Sequence, residues 1–328
     1  MSNIVRYIRR TQPRTPKVEV DQAEFERTAG LMRRLFVWRE FEALYDSIIS
    51  EYEQFQVDVF KIAQYDHLRS RSGRLYVSTM LDRQKCITRA NSVLYLVRQY
   101  TECISSLHEW ESAHRGLLGK ARREHNRLMK QNASYHLMIL MRNIAAHELE
   151  NPIEINFSRN YEHPAQFAEL GVHLHLDTKR LMCDKRIKDD ETLVRYLSDL
   201  PESEKDLRMH LAQLIASISK QHCQIRSWID GNLNSDEAQI DQILNCQQNG
   251  SPLAAVWVEA LDEQDQVVDG ICAFKEPITL IRHLARVNPQ SILPDAYITM
   301  AHQAQREATH REWRRNRDAE SQGLASAS

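Results

Sequence analysis

From Phe25 onward, apolar residues recur at helical spacing: Phe25, Ala29, Met32, Phe36, Phe41, Leu44, Ile48, Tyr52, Phe55 and Val59. Only an α-helix gathers such positions on one side. Asp21, three residues before Glu24, supplies a start signal of capping-box type, and the polar stretch "DHLRSRSGR" closes the element. The same period predicts helices over 77–113 and 119–148, with "RGLLG" between them. Long helices on short connections predict an antiparallel bundle over 21–150. After Pro152 the texture changes. "IEINFSR" and "FAELGVHLHLD" alternate apolar and polar residues, which predicts a β-hairpin near 153–176. Helical spacing returns over 188–200, 202–230 and 235–247, with Pro201 separating the first two. "PLAAVWVEAL" and "QVVDGICAF" bracket the turn "DEQDQ" and predict a second hairpin near 252–274. Helices near 277–287 and 293–313 follow. The expected fold is therefore mainly α, a helical bundle with two β-hairpins and additional C-terminal helices. Residues 1–20 read as an irregular basic arm, 21–150 as the bundle, 151–318 as an α+β module and 319–328 as a disordered tail.

Composition narrows the class. The 328 residues can bury a sizeable core, and 9 Gly with 9 Pro leave little room for many tight turns. The longest uncharged apolar runs, "YHLMILM" and "SPLAAVWV", fall far short of the roughly 20 residues a bilayer span needs. The start has too many arginines and no apolar segment of the secretory kind. A cytoplasmic location and no membrane partner are expected. Six scattered cysteines without a C-x-x-C pair read as reduced thiols. A formal net charge of −2 gives no global pull on nucleic acid, though local patches still can. The arm carries Arg6, Arg9, Arg10, Arg14 and Lys17, and "REATHREWRRNRD" carries five arginines against three acids. Solvated ends and RNA contacts both fit those segments.

The helix ending in "MRNIAAHEL" holds three residues that a buried helix does not need. At 100° per residue, Leu137, Met141, Ile144 and Ala145 share one face, with Leu140 at its edge. Asn143 and His147 stand four apart on a neighbouring face. Arg142 lies about 140° from His147, and the arc between them holds Ile139 and the small Ala146. A two-fold partner packing on that arc would bring two Arg and two His into one cleft.

Arg142-Asn143-Ile144-Ala145-Ala146-His147 resembles the R-N-x-x-x-H signature of the HEPN superfamily, an Arg followed after four to six residues by a His near the end of a helical bundle. The resemblance covers roughly residues 21–150. It implies a metal-independent endoribonuclease active as a homodimer, with no cofactor, its paired motifs forming one composite site. His147 would shuttle protons, Arg142 would bind the scissile phosphate and Asn143 would orient either. One toxin of this superfamily has a Tyr two residues after the His, modified by its partner enzyme; Leu149 stands there, so that mode of neutralisation does not carry over.

The chemistry suits the residue types. RNA carries its own nucleophile in the 2′-OH, so the site must accept one proton, donate another and steady the phosphate charge. Histidine titrates near neutrality and can do both, while arginine offers a permanently charged fork of donors. The products would be 2′,3′-cyclic phosphate and 5′-OH ends. Lys120, Arg122, Arg123, Arg127 and Lys130 precede the motif, as an RNA-backbone contact or as a solvated helix face. His173 and His175, with His163 nearby, could suggest a metal, but alternation on a half-exposed strand explains them better, and none is expected. Glu109 and Glu111 flank Trp110 as candidate partners for the His. A regulatory protein or ligand could act on the C-terminal third. A non-catalytic helical module for dimerisation, nucleotide or partner binding is the alternative reading.

Overall fold

The computed structural model describes residues 4–10, 17–69, 75–111, 113–147, 153–160, 169–201, 206–245, 255–288 and 292; the side chains of 4–5, 63–69, 75–80, 83, 142–147, 154–160 and 169–173 lie outside that description. The chain is mainly helical with small antiparallel sheets. It forms two compact units that interleave along the sequence, 1–51, 93–131 and 218–291 in one, 52–92, 132–217 and 292–328 in the other. An extent of 21–150 therefore corresponds to neither unit. Three helices exceed one unit's span and contribute to both: α1 (Gln22–Arg69), α2 (Leu75–Cys103) and α8 (Leu207–Asn245).

The expected start of α1 is realised: Asp21 Oδ1 accepts from the Glu24 amide at 2.6 Å. The predicted stripe is buried at Phe25, Ala29, Met32, Phe41, Ile48, Tyr52, Phe55 and Val59, joined by Leu31, Leu35, Trp38 and Tyr45. Those up to Ile48 belong to the first unit, with the end of α2, a 3-10 turn (Ile104–Trp110), α3 (Leu117–Gln131), the second half of α8 and α9 (Glu276–Val287). Phe41 stacks on Tyr100, and Trp38 packs on Trp110 and His222. Trp110 anchors the turn, donating from Nε1 to the Arg34 carbonyl at 3.0 Å.

The N-terminal arm is not irregular where it is described. It forms β1 (Ile4–Arg10) and β2 (Val18–Val20), which join β5 (Ala255–Asp262) and β6 (Val267–Phe274) in a sheet of order β2-β1-β5-β6. Ile8 is buried, and Tyr7 packs on Phe25 with ring centres 5.1 Å apart. Arg6 pairs with Asp265, Arg9 with Glu24 at 2.9 Å and Arg10 with the buried Glu259. Three of the arm's cations thus serve the sheet. The second hairpin turns where its sequence suggests: Asp265 takes φ 63°, and Asp262 Oδ1 accepts from the amides of Gln264 and Gln266.

The second unit gathers the rest of α1 and α2, α4 (Ala133–His147), the antiparallel pair β3 (Ile153–Asn160) and β4 (Glu169–Leu176), and the short helices α5 (Thr178–Leu181), α6 (Lys185–Lys188) and α7 (Glu191–Asp199). β3 and β4 pair in unbroken register from Ile153 opposite Leu176 to Asn160 opposite Glu169. The first expected hairpin is therefore present. Buried Asp58 joins α1 to α2, accepting from Lys85 at 2.9 Å, Arg89 at 3.2 Å and Gln54 at 3.1 Å.

The expected helices differ in three places. The one over 77–113 begins at Leu75 and ends at Cys103, where the chain passes into the 3-10 turn Ile104–Trp110. The single helix over 119–148 breaks at Asn132, whose Oδ1 accepts from the Tyr135 amide at 2.9 Å and so caps a new helix, α4. Conversely, the helices expected over 202–230 and 235–247 are one continuous α8, because Gly231 is carried inside it. Replacing Asn132 with Ala should destabilise the second unit by about 1 kcal/mol, the usual worth of such a cap. Urea denaturation of the variant checks this, and an unchanged midpoint would deny the cap any role. The helix expected over 293–313 and the tail 319–328 lie outside the described residues. No helix among the described residues is long and apolar enough to cross a membrane.

Candidate functional site

The motif residues all stand on α4. Its core face is buried at Leu137 and Met141, as expected, with Leu140 half-exposed at the edge. Burial extends further round the helix, to Met138 and to Tyr135, which stands two turns before Arg142 and within about 20° of it, while Ile139 is half-exposed. Polar contacts hold its first turns within the unit. The buried Ser134 hydroxyl lies 2.7 Å from Nδ1 of buried His210, on α8, and Tyr196 Oη of α7 lies 3.3 Å from the same nitrogen. His136 Nδ1 stands 3.6 Å from Asp190, the residue that caps α7 through the Thr192 and Leu193 amides.

The helical backbone continues to His147. It keeps Asn143 and His147 one turn apart and Arg142 about 140° from His147 around the axis. The side chains of Arg142, Asn143 and His147 lie outside the described residues.

The basic residues of the preceding helix belong to the other unit, since the division falls between Gln131 and Asn132. Lys120, Arg122, Arg123, Arg127 and Lys130 are all exposed on α3, opposite buried Leu117, Ala121 and Leu128. Arg127 is engaged by Glu124, which accepts from its Nε at 2.8 Å and Nη2 at 2.5 Å, and its Nη1 donates to Gln131 at 2.7 Å. That guanidinium draws the Glu124 carboxyl below its ordinary range. Glu111 is committed as well, accepting from the Gly116 and Leu118 amides where the chain turns into α3 through Gly116 at φ 82°. Those two bonds lower its pKa, which is the expected response of a carboxylate to amide donors. Glu109 lies 3.2 Å from His108. Both glutamates belong to the first unit.

Among the described residues no group of three or more His, Cys, Asp or Glu could hold a metal ion. His163 and the side chain of His173 lie outside those residues, and His175 forms a backbone bridge with Asp206.

A dense polar cluster in the first unit was not among the sequence candidates. His222, fully buried on α8, stacks on Tyr45 with ring centres 4.0 Å apart and on Trp38 at 5.8 Å. Tyr100 Oη lies 3.2 Å from its Nδ1, and Glu42 Oε2 lies 3.2 Å from its Nε2, though not aligned as a hydrogen bond. Arg226 donates from Nε and Nη2 to the two Glu42 oxygens at 2.8 and 2.7 Å, and from Nη1 to the Asn288 carbonyl at 2.6 Å. Burial alone would raise the Glu42 pKa, but His222 and Arg226 outweigh it and lower it. Burial dominates at His222 and holds its ring neutral to lower pH than usual. The signal available was the His222–Arg226 spacing of four, which places both on one side of α8. The cluster is closed to solvent, so it orders the core and reaches no substrate.

No family model matches the chain, and no curated protein or solved structure matches it.

Proposed function

We propose that the chain is a metal-independent endoribonuclease of HEPN type, working as a homodimer through α4 with no cofactor. One observation supports this reading most directly: R-N-x-x-x-H falls in the closing turns of α4, a helix whose face away from the Arg142–His147 arc is buried at Leu137 and Met141. His147 takes the proton of the 2′-OH as that oxygen attacks phosphorus, and the partner's histidine protonates the departing 5′-oxygen. Arg142 neutralises the charge gathering on the phosphate, and Asn143 orients either group. The P–O5′ bond breaks as the P–O2′ bond forms, leaving 2′,3′-cyclic phosphate and 5′-OH ends. Stress response or defence against foreign genetic elements is the setting such an activity suits.

The test incubates wild type and His147→Ala with total RNA and tRNA in EDTA, then assays the ends of the products. Wild type should cut with cyclic phosphate ends, and the variant should lose about 10²–10⁴-fold, the usual contribution of a proton-transferring residue. Cutting by both proteins would place any activity elsewhere. RNA left intact by both would favour the non-catalytic helical module.

A further inference from the structure

The exposed side of α3 is not uniform. At 100° per residue, Lys120, Arg123, Arg127 and Lys130 fall within an arc of about 80°, whereas Arg122 lies about 160° from Lys120. The four form a stripe along one side of the helix, about 15 Å from end to end. Glu124 is the sole acid in α3, and Arg127 already occupies it. Among the described residues no carboxylate pairs with Lys120, Arg123 or Lys130.

The second half of α8 runs antiparallel beside this stripe in the same unit. Gln221 Nε2 reaches the Ala121 carbonyl at 3.4 Å, and the exposed Lys220 adds a favourable field at Glu124. Toward the other end, Lys120 Nζ stands 5.7 Å from the ring centre of Trp228, which is half-buried. Exposed Gln224 lies one turn from each of Lys220 and Trp228 on α8. The edge between the two helices therefore carries cations along its length and an indole face at one end.

We infer that this α3–α8 edge binds single-stranded nucleic acid, phosphates following Lys120, Arg123, Lys130 and Lys220 while one base stacks on Trp228. Charge complementarity selects a polyanion, and the partly exposed indole, once Lys120 moves aside, selects one with unpaired bases. A duplex hides its base faces in the stack, whereas any unpaired base offers one to an aromatic ring. Lys120 is the gate: it covers the indole in the unliganded chain and moves to a phosphate as the base arrives. Exposed Gln224, one turn before Trp228, supplies an amide donor and acceptor beside the ring. In choosing RNA as the natural polyanion the inference rests on the ribonuclease reading, but the surface belongs to the other unit and does not use His147.

The test measures fluorescence anisotropy of a labelled 12-nucleotide single-stranded RNA with full-length protein. His147→Ala serves as the binding background, so that cleavage cannot intrude. Adding Trp228→Leu should weaken single-strand binding about tenfold, within the range for loss of one stacked base. It should leave binding of a duplex of equal length unchanged. Lys120→Gln with Arg123→Gln should weaken binding and flatten the dependence of log affinity on log salt by about 1.4. Far-ultraviolet circular dichroism and the urea midpoint verify that each variant is folded, and a Trp228→Phe variant, which keeps a ring, should retain most of the affinity. Equal single-strand affinity with and without Trp228 overturns the inference. So does binding of the duplex or of polyaspartate as tightly as the single strand. Loss of cleavage by His147→Ala with an intact Trp228 effect separates the two proposals, and the converse result sinks this one alone.

Discussion

Replacing Arg226 with Met should destabilise the first unit by about 3–5 kcal/mol, the cost of leaving a buried charge without its partner. Glu42 is 1% exposed and receives two charge-assisted hydrogen bonds from Arg226. Without them its carboxylate would face only His222, whose ring burial keeps neutral. The Asn288 carbonyl would also lose its donor. Removing both charges at once is a different matter. Glu42→Leu combined with Arg226→Met leaves no bare ion, and hydrophobic replacement of a buried pair is often neutral or better. The double variant should therefore recover most of the loss, measured as urea midpoints in a double-mutant cycle. Additive losses would mean that the pair is not a coupled unit.

Acid should loosen the same core before ordinary carboxylates titrate. In the unfolded chain His222 protonates at about 6.5, whereas in the folded chain its pKa is lowered by burial. Below pH 6.5 the unfolded state then binds more protons than the folded one, so stability falls as pH drops. The slope contributed by this single group is at most about 1.4 kcal/mol per pH unit. Glu42, also lowered from 4.5, acts in the same direction at lower pH: its contribution is present above 4.5 and lost as pH falls through the folded value. The other groups facing the ring do not titrate in this window in the same sense. Tyr45 is pushed up to about 12 by burial, burial raises Cys223 as well, and Arg226 remains charged. Asp230, raised by burial, works oppositely, losing stability as pH rises above 3.8. The comparison is therefore with His222→Phe, which keeps the stacking on Tyr45 and Trp38. Denaturation from pH 7 to pH 5 should show a steeper loss in wild type than in that variant. Parallel curves would remove His222 from the account.

The local elements were legible because their signals are local. The α1 stripe, the cap at Asp21, the strands on either side of "DEQDQ" and the pairing of 153–160 with 169–176 all depend on near neighbours. The role of β1 was hidden because Ile8 pairs with Glu259, and no neighbouring residue records that partner. Reading Arg6, Arg9 and Arg10 as a basic arm followed from charge alone, since Asp265, Glu24 and Glu259 are brought to them only by the fold. Asn132 was missed as a cap because helical spacing persists on both sides of it. Trp228 was unreadable for the opposite reason: one half-polar ring on a long amphipathic helix has no periodic signature, and only packing against α3 sets it beside Lys120. The motif Arg142–His147 was visible as a string, and the fold adds the helix that carries it.

The partnership of β1 with β5 has a consequence for how the chain is made. A ribosome delivering about 5–20 residues per second completes β5 on the order of ten to fifty seconds after β1. Throughout that interval β1, with Ile4, Val5, Tyr7 and Ile8, would be a β-prone segment with β2 on one edge and no partner on the other. The arginines set among and directly after them act as gatekeepers, since charge interrupting such a run discourages strands on neighbouring nascent chains from pairing. Arg6 and Arg10, which close onto Asp265 and Glu259 only once β5 and its turn have been made, thus guard the segment from misassembly before those partners exist.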